Sequence, residues 1–107
     1  MTFEVLLSSD AERDMEDLYR FIALSDSPLK AEALLSTMEA ACLGLATMPE
    51  RGNVPKELER LGITEFRELH HKPYRLIYRI RGRQVVIYGI LDGRRDMQTL
   101  LQQRLLR

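Results

Sequence analysis

Thiols are almost missing from this chain of 107 residues. Cys42 stands alone, so no internal disulfide can form, and a reducing compartment is the natural setting. Long apolar runs are missing too, and none approaches the roughly 18 residues that a membrane-spanning helix needs. The opening Met1-Thr2-Phe3-Glu4 lacks the basic stretch and following apolar run of an export signal. A soluble, cytoplasmic chain without membrane contact is expected. Histidine is scarce: His70 and His71 are adjacent, so on a strand they point to opposite faces and cannot jointly hold one ion. No cysteine or carboxylate cluster at ligand spacing accompanies them, and neither a metal nor another cofactor is expected. Repeats, low-complexity stretches and linkers are absent. Hydrophobic residues at 45% and charged ones at 30% are ordinary for a folded chain and argue against disorder. The expectation is one domain over residues 1–107, large enough to bury a core without disulfides or a structural metal.

The formal net charge of zero hides a polarity. Residues 1–62 carry 6 Lys/Arg against 12 Asp/Glu, whereas residues 63–107 carry 10 against 4. Balances of −6 and +6 point to a basic working surface on the C-terminal part, suited to an anionic partner, although solvation of exposed faces would give the same tally.

Phe3 to Leu7 reads as a first strand, closed by Ser8-Ser9-Asp10. Ser9 and Glu12 have the spacing of a capping box and place a helix start at Ser9. Ala11, Met15, Leu18 and Ile22 recur on one helical stripe, with Glu12, Arg13, Glu16, Asp17 and Arg20 opposite. Among the acidic side chains of this helix, Glu12, Asp14, Glu16 and Asp17 read as a solvated face. Ser27 and Pro28 suit the N-cap and first position of a second helix. Its stripe is Leu34, Met38, Ala41, Cys42 and Leu45, and Pro49 should stop it. Two amphipathic helices joined by a short turn make a helical hairpin. Cys42, within that stripe, should be buried and inert.

From Arg51 to Gly62 the pattern is lost, with room for one helical turn at Lys56–Leu61. Three strands follow: Thr64–Leu69, Tyr74–Arg81 and Val85–Leu91. In the second, Tyr74, Leu76, Tyr78 and Ile80 alternate with Arg75, Ile77, Arg79 and Arg81, which predicts one face on the helices and one basic face away from them. Gly82-Arg83 suits a tight hairpin turn, and Val85–Leu91, apolar on both faces, suits a central strand. Asp96 should cap a last helix carrying Met97, Leu100, Leu101 and Leu105. The fold class is α+β, in the order β-α-α-β-β-β-α: a helical hairpin on a mainly antiparallel sheet, then a C-terminal helix.

That element order, with the runs Phe66-Arg67-Glu68-Leu69, Tyr74-Arg75-Leu76-Ile77-Tyr78-Arg79-Ile80 and Ile90-Leu91-Asp92-Gly93-Arg94-Arg95-Asp96, resembles the ParE/RelE superfamily of toxins. The resemblance covers nearly the whole chain. It implies the toxin half of a type II toxin–antitoxin (plasmid stabilisation or stress) module, neutralised by a ParD- or RelB-like antitoxin. Operator DNA would be met only through that antitoxin.

Two targets are implied by the two branches. RelE-type members cut mRNA on the ribosome with an arginine on the strand like Tyr74–Ile80, another after the last strand, lysines on the preceding strand, and a C-terminal tyrosine or histidine. Arg75 matches the first arginine and Arg95 the second, but Phe66 and Glu68 stand where lysines are expected. From Asp92 to Arg107 no histidine, tyrosine or lysine occurs. Arginine holds its proton too tightly to serve as a base, so two arginines make a poor nuclease unless His70 or His71 supplies the missing group. ParE-type members instead bind DNA gyrase and trap it on cut DNA, which needs no catalytic residue. That branch is favoured, with the ribosome-dependent endoribonuclease as the alternative. Under either reading Arg67, Arg75, Arg79, Arg81, Arg94 and Arg95 are the candidate binding surface.

Overall fold

The computed structural model describes residues 2–106, so Met1 and Arg107 lie outside the described residues. Strand β1 (Glu4–Leu7) leads into helix α1 (Ser9–Ser25). The N-cap is Ser8, one residue before the expected Ser9: its backbone is extended and its side chain accepts from the Ala11 N–H at 3.1 Å. Helix α2 (Pro28–Gly44) begins as its sequence requires, with Pro28 in the first turn and the Ser27 hydroxyl accepting from the Lys30 N–H at 3.1 Å. It stops at Gly44, ahead of Pro49, which instead opens a short 3-10 turn, Pro49–Arg51. One helical turn, α3 (Lys56–Glu59), interrupts the loop that follows.

Strands β2 (Phe66–His71), β3 (Tyr74–Arg81) and β4 (Gln84–Asp92) complete a four-stranded sheet in the order β1-β4-β3-β2. The first of these lies further along than the expected Thr64–Leu69. Neighbouring strands run antiparallel except β1, which lies parallel to β4. The β3–β4 turn uses Gly82 at φ +60, a conformation open to glycine and costly for side-chain-bearing residues. A register shift at Ile77/Tyr78 leaves Tyr88 as the extra residue on β4. Helix α4 (Met97–Leu105) follows, capped by Asp96, which accepts from the Thr99 N–H at 3.2 Å and the Thr99 hydroxyl at 2.8 Å.

The sheet is covered on both faces. Leu76 and Tyr78 of β3, with Val85, Ile87 and Ile90 of β4, pack under the hairpin against Ala11, Met15, Met38, Cys42 and Leu45. The opposite face was expected to stay open. Instead Phe66, Ile77 and Leu91 form a second core with Leu58 of α3 and with Met97 and Leu101 of α4. The cause is hydrophobic: removing an aliphatic side chain of this size from water contributes roughly 1.5–3 kcal/mol, and α3 and α4 bring Leu58, Met97 and Leu101 to this face.

Candidate functional site

Covering that face changes what its arginines can do. Arg75 is only 8% exposed. Its Nε donates to Glu68 Oε1 at 2.6 Å, while Nη1 and Nη2 donate to the two carboxylate oxygens of Glu57 at 2.9 and 2.7 Å. Hydrogen bonds from Arg75 hold the Glu57 carboxyl down to about 2, well below its ordinary 4.5, and the same pairing raises the guanidinium further above its usual range. Arg75 is therefore an internal ion-pair centre rather than part of an open surface. Sequence parity placed it on the correct face, but Glu57 sat in a stretch with no readable pattern. Glu68 did lie on a strand expected to run beside β3, and its alternation with Arg67 was the available signal.

The other candidates are dispersed. Arg79 is half-buried with its guanidinium 5.8 Å from the centre of the Phe66 ring, a cation–π contact, and Arg81 is exposed beside the hairpin turn. Arg67 lies opposite Tyr78 on the hairpin side of the sheet, away from the face of Arg75. It donates to the carbonyls of Glu50 at 3.3 Å and Gly52 at 2.7 Å, so it braces a loop. Arg94 is exposed and folds back on Asp92 at 2.7 and 3.0 Å, which holds the Asp92 carboxyl at about 2. Arg95 beside it is exposed.

His70 and His71 separate as their adjacency requires. His71 is exposed. His70 places Nε2 3.3 Å from Glu68 Oε2, within a cleft of about 600 Å3 whose mouth also carries Lys56, Lys72 and Arg94. The structure thus brings Arg75, Glu68 and His70 together, and Lys56 and Lys72 join them although the sequence reading assigned them no role. Among the described residues no cluster of three metal-ligating side chains occurs.

A second, apolar surface lies on the hairpin. Two hollows of about 520 and 450 Å3 share Met15, Glu16 and Leu35 and run between the helices and β1. Beside them Leu24 is 83% exposed and Leu43 67% exposed, high values for residues of this size. Cys42 lines one hollow from below, and burial, with Glu39 nearby, pushes its thiol up to about 11, an inert state.

A helical hairpin on a mainly antiparallel sheet, backed by a C-terminal helix, defines a small α+β domain of the kind seen in toxin–antitoxin structures. The chain belongs to the family of ParE toxins of the type II toxin–antitoxin system parDE, whose model matches residues 5–97. It is 28% identical over 100 residues to Toxin ParE3 of Caulobacter vibrioides, covering 94% of this chain and 96% of that protein. Its fold is similar to a structure of a chromosomal ParDE toxin–antitoxin system from P. aeruginosa (TM-score 0.70, 18% identity, 83% of this chain and 94% of that one). It is also similar to the RelBE2 toxin–antitoxin complex of Mycobacterium tuberculosis (TM-score 0.61, 24% identity, 86% and 92% covered). Among the described residues no helix is long and apolar enough to cross a membrane.

Proposed function

We propose that this chain is the toxin of a type II module in the cytoplasm, that it acts by binding DNA gyrase and blocking it on cleaved DNA, and that a ParD-like antitoxin neutralises it. The observation that carries the choice of target is the state of Arg75. The arginine that a ribosome-dependent nuclease would aim at a phosphate is buried, with Nε, Nη1 and Nη2 committed to Glu68 of β2 and Glu57 of α3. Releasing it would leave two buried carboxylates without their cation, which is strongly unfavourable. A blocking function needs no such release. Purified protein should inhibit supercoiling and accumulate cleaved DNA in a gyrase assay; full gyrase activity at saturating protein would reject the reading.

The antitoxin fits the hairpin surface. The hollows beside Met15 and Leu35 can take apolar anchors, and β1, at the edge of the sheet, offers a strand to pair with. Operator DNA is met through the antitoxin, and this chain alone binds DNA weakly.

One observation favours the endoribonuclease alternative: His70 does reach the cationic cleft beside Arg75. On that reading translating ribosomes supplied with the protein would yield mRNA cut at fixed codon positions, and His70→Ala would abolish the cuts. Intact mRNA ends it.

A further inference from the structure

We infer that the cleft at the β2 edge is a docking site for an extended acidic segment of a partner protein, which adds to the sheet as a further strand beside β2. This goes beyond the target and the hairpin surface proposed above and rests on neither.

The first support is the backbone. Strand β2 is the outermost strand on its side of the sheet. Its Glu68 turns both backbone groups outward, exchanging hydrogen bonds with Asn53 at 2.7 and 3.2 Å in an isolated antiparallel bridge. In an antiparallel ladder the outward positions alternate, so the next is His70. Among the described residues nothing pairs with the His70 N–H or C=O. An incoming chain would continue the line that Asn53 begins, and unpaired ladder groups of this kind are what strand addition uses.

The second support is charge. Arg75 and Arg94 at the cleft have their charges taken up by carboxylates, and Glu68 is bonded by Arg75, Asn53 and His70. Lys56 and Lys72 have no hydrogen-bonded carboxylate partner among the described residues, and both are exposed at the mouth. The charge left over is positive. Between the lysines the walls are Val54, Pro73 and the Tyr74 ring, apolar ground for alternate side chains of an extended peptide, whose period of two presents one acidic and one apolar row. A nucleic acid would meet the lysines but leave the His70 ladder groups unused, so a peptide satisfies more of the site. Because β1 and β2 are opposite edges of the sheet, an antitoxin seated on the hairpin and β1 leaves this cleft accessible.

The test uses the full chain and a fluorescent peptide alternating glutamate and valine, with a lysine–valine peptide as control and a third peptide N-methylated at every second amide. The acidic peptide should bind, with affinity falling as salt rises, and should slow amide exchange at His70. The lysine peptide should not bind. N-methylation on the pairing edge, and separately the double change Lys56→Glu with Lys72→Glu, should each weaken binding by roughly tenfold or more, with an unchanged melting temperature showing that the fold is intact. Absence of binding, indifference to N-methylation or to charge reversal, or displacement of the peptide by a single-stranded RNA oligonucleotide at lower concentration would each overturn the inference. No gyrase or antitoxin is present in the measurement, so failure of the gyrase reading leaves its outcome unaffected.

Discussion

Arg104 and Asp14 meet across 90 positions of sequence: Nη1 and Nη2 of the arginine donate to the two carboxylate oxygens at 2.8 and 3.1 Å. The same Nη1 reaches the Tyr88 carbonyl at 3.1 Å, and Asp14 also accepts from the Ile90 N–H at 3.0 Å. One ion pair therefore ties α4 to α1 across the end of β4. Charge-assisted bonds at such partly buried sites contribute about 1.5–3 kcal/mol, so Arg104→Ala should lower stability by about 2 kcal/mol. Amide exchange should accelerate first in α4. Gly89 provides the passage, since a Cβ there would lie 2.9 Å from Arg104 Nη1. Gly89→Ala should shift the guanidinium and weaken this pair at a smaller cost than Arg104→Ala, because the clash is with the flexible end of a side chain, and the double variant should cost less than the sum of the two single changes.

A different test concerns Arg75. Arg75→Ala leaves Glu57 and Glu68 buried without their cation, a change that typically costs about 3–5 kcal/mol. Thermal unfolding should shift down by well over 10 °C, taking about 4–8 °C per kcal/mol for a chain of this size. Arg75→Lys should recover little, because one ammonium group cannot reproduce the fork that spans both carboxylates. Loss of toxicity in either variant then reflects a damaged fold, and equal melting temperatures for wild type and Arg75→Ala would show that the ion-pair centre is dispensable.

Acid should probe the same centre through Glu57. Its carboxyl sits at about 2 in the folded chain against an ordinary 4.5. The lowered value means that its contribution is fully present above pH 4.5 and is lost as pH falls towards 2, because the unfolded chain takes up the proton first. Urea midpoints followed by circular dichroism should therefore decline across that window, and Glu57→Gln should flatten the decline. Asp92, held at about 2 by Arg94 near the surface, contributes in the same direction, and added salt should weaken its part. An identical pH dependence in wild type and Glu57→Gln would remove Glu57 as the cause.

Most of the architecture was legible because it rests on local signals. The β3 strand was bounded correctly by its period of two, Ser27-Pro28 opened α2, Asp96 capped α4, and Gly82 made the turn. The candidate site was legible only in part, because its partners come from elements without periodicity. The single turn α3 supplies both Glu57 and Leu58, too few residues to show a pattern, yet it neutralises Arg75 and helps to close the face. Asp14 shows the same limit, since it lies in a run of charges and its partner is far along the chain. Opposite net charges in the two halves were real, but part of that difference is used internally, by Arg75 with Glu57 and by Arg104 with Asp14.

The arginines that remain on the surface give the last prediction, since the structure sorts them by what they have to lose. Arg81 and Arg95 are exposed and carry no hydrogen bond from their side chains among the described residues, whereas Arg67 braces the carbonyls of Glu50 and Gly52. If gyrase is recognised through the exposed guanidinium groups, Arg81→Glu and Arg95→Glu should each raise the concentration needed for half-inhibition of supercoiling by roughly tenfold, as charge reversal at an interface does. Their melting temperatures should match wild type within the small range expected of surface changes. Arg67→Ala should behave in the opposite way, losing about 1–2 kcal/mol of stability with its two loop contacts while inhibition, corrected for the folded fraction, changes little. Supercoiling assays and thermal unfolding on the same three preparations decide the matter. Unchanged inhibition in both charge-reversed variants, which sit at opposite ends of the β3–β4 pair, would move the gyrase contact away from the exposed arginines and onto the apolar hairpin, in competition with the antitoxin.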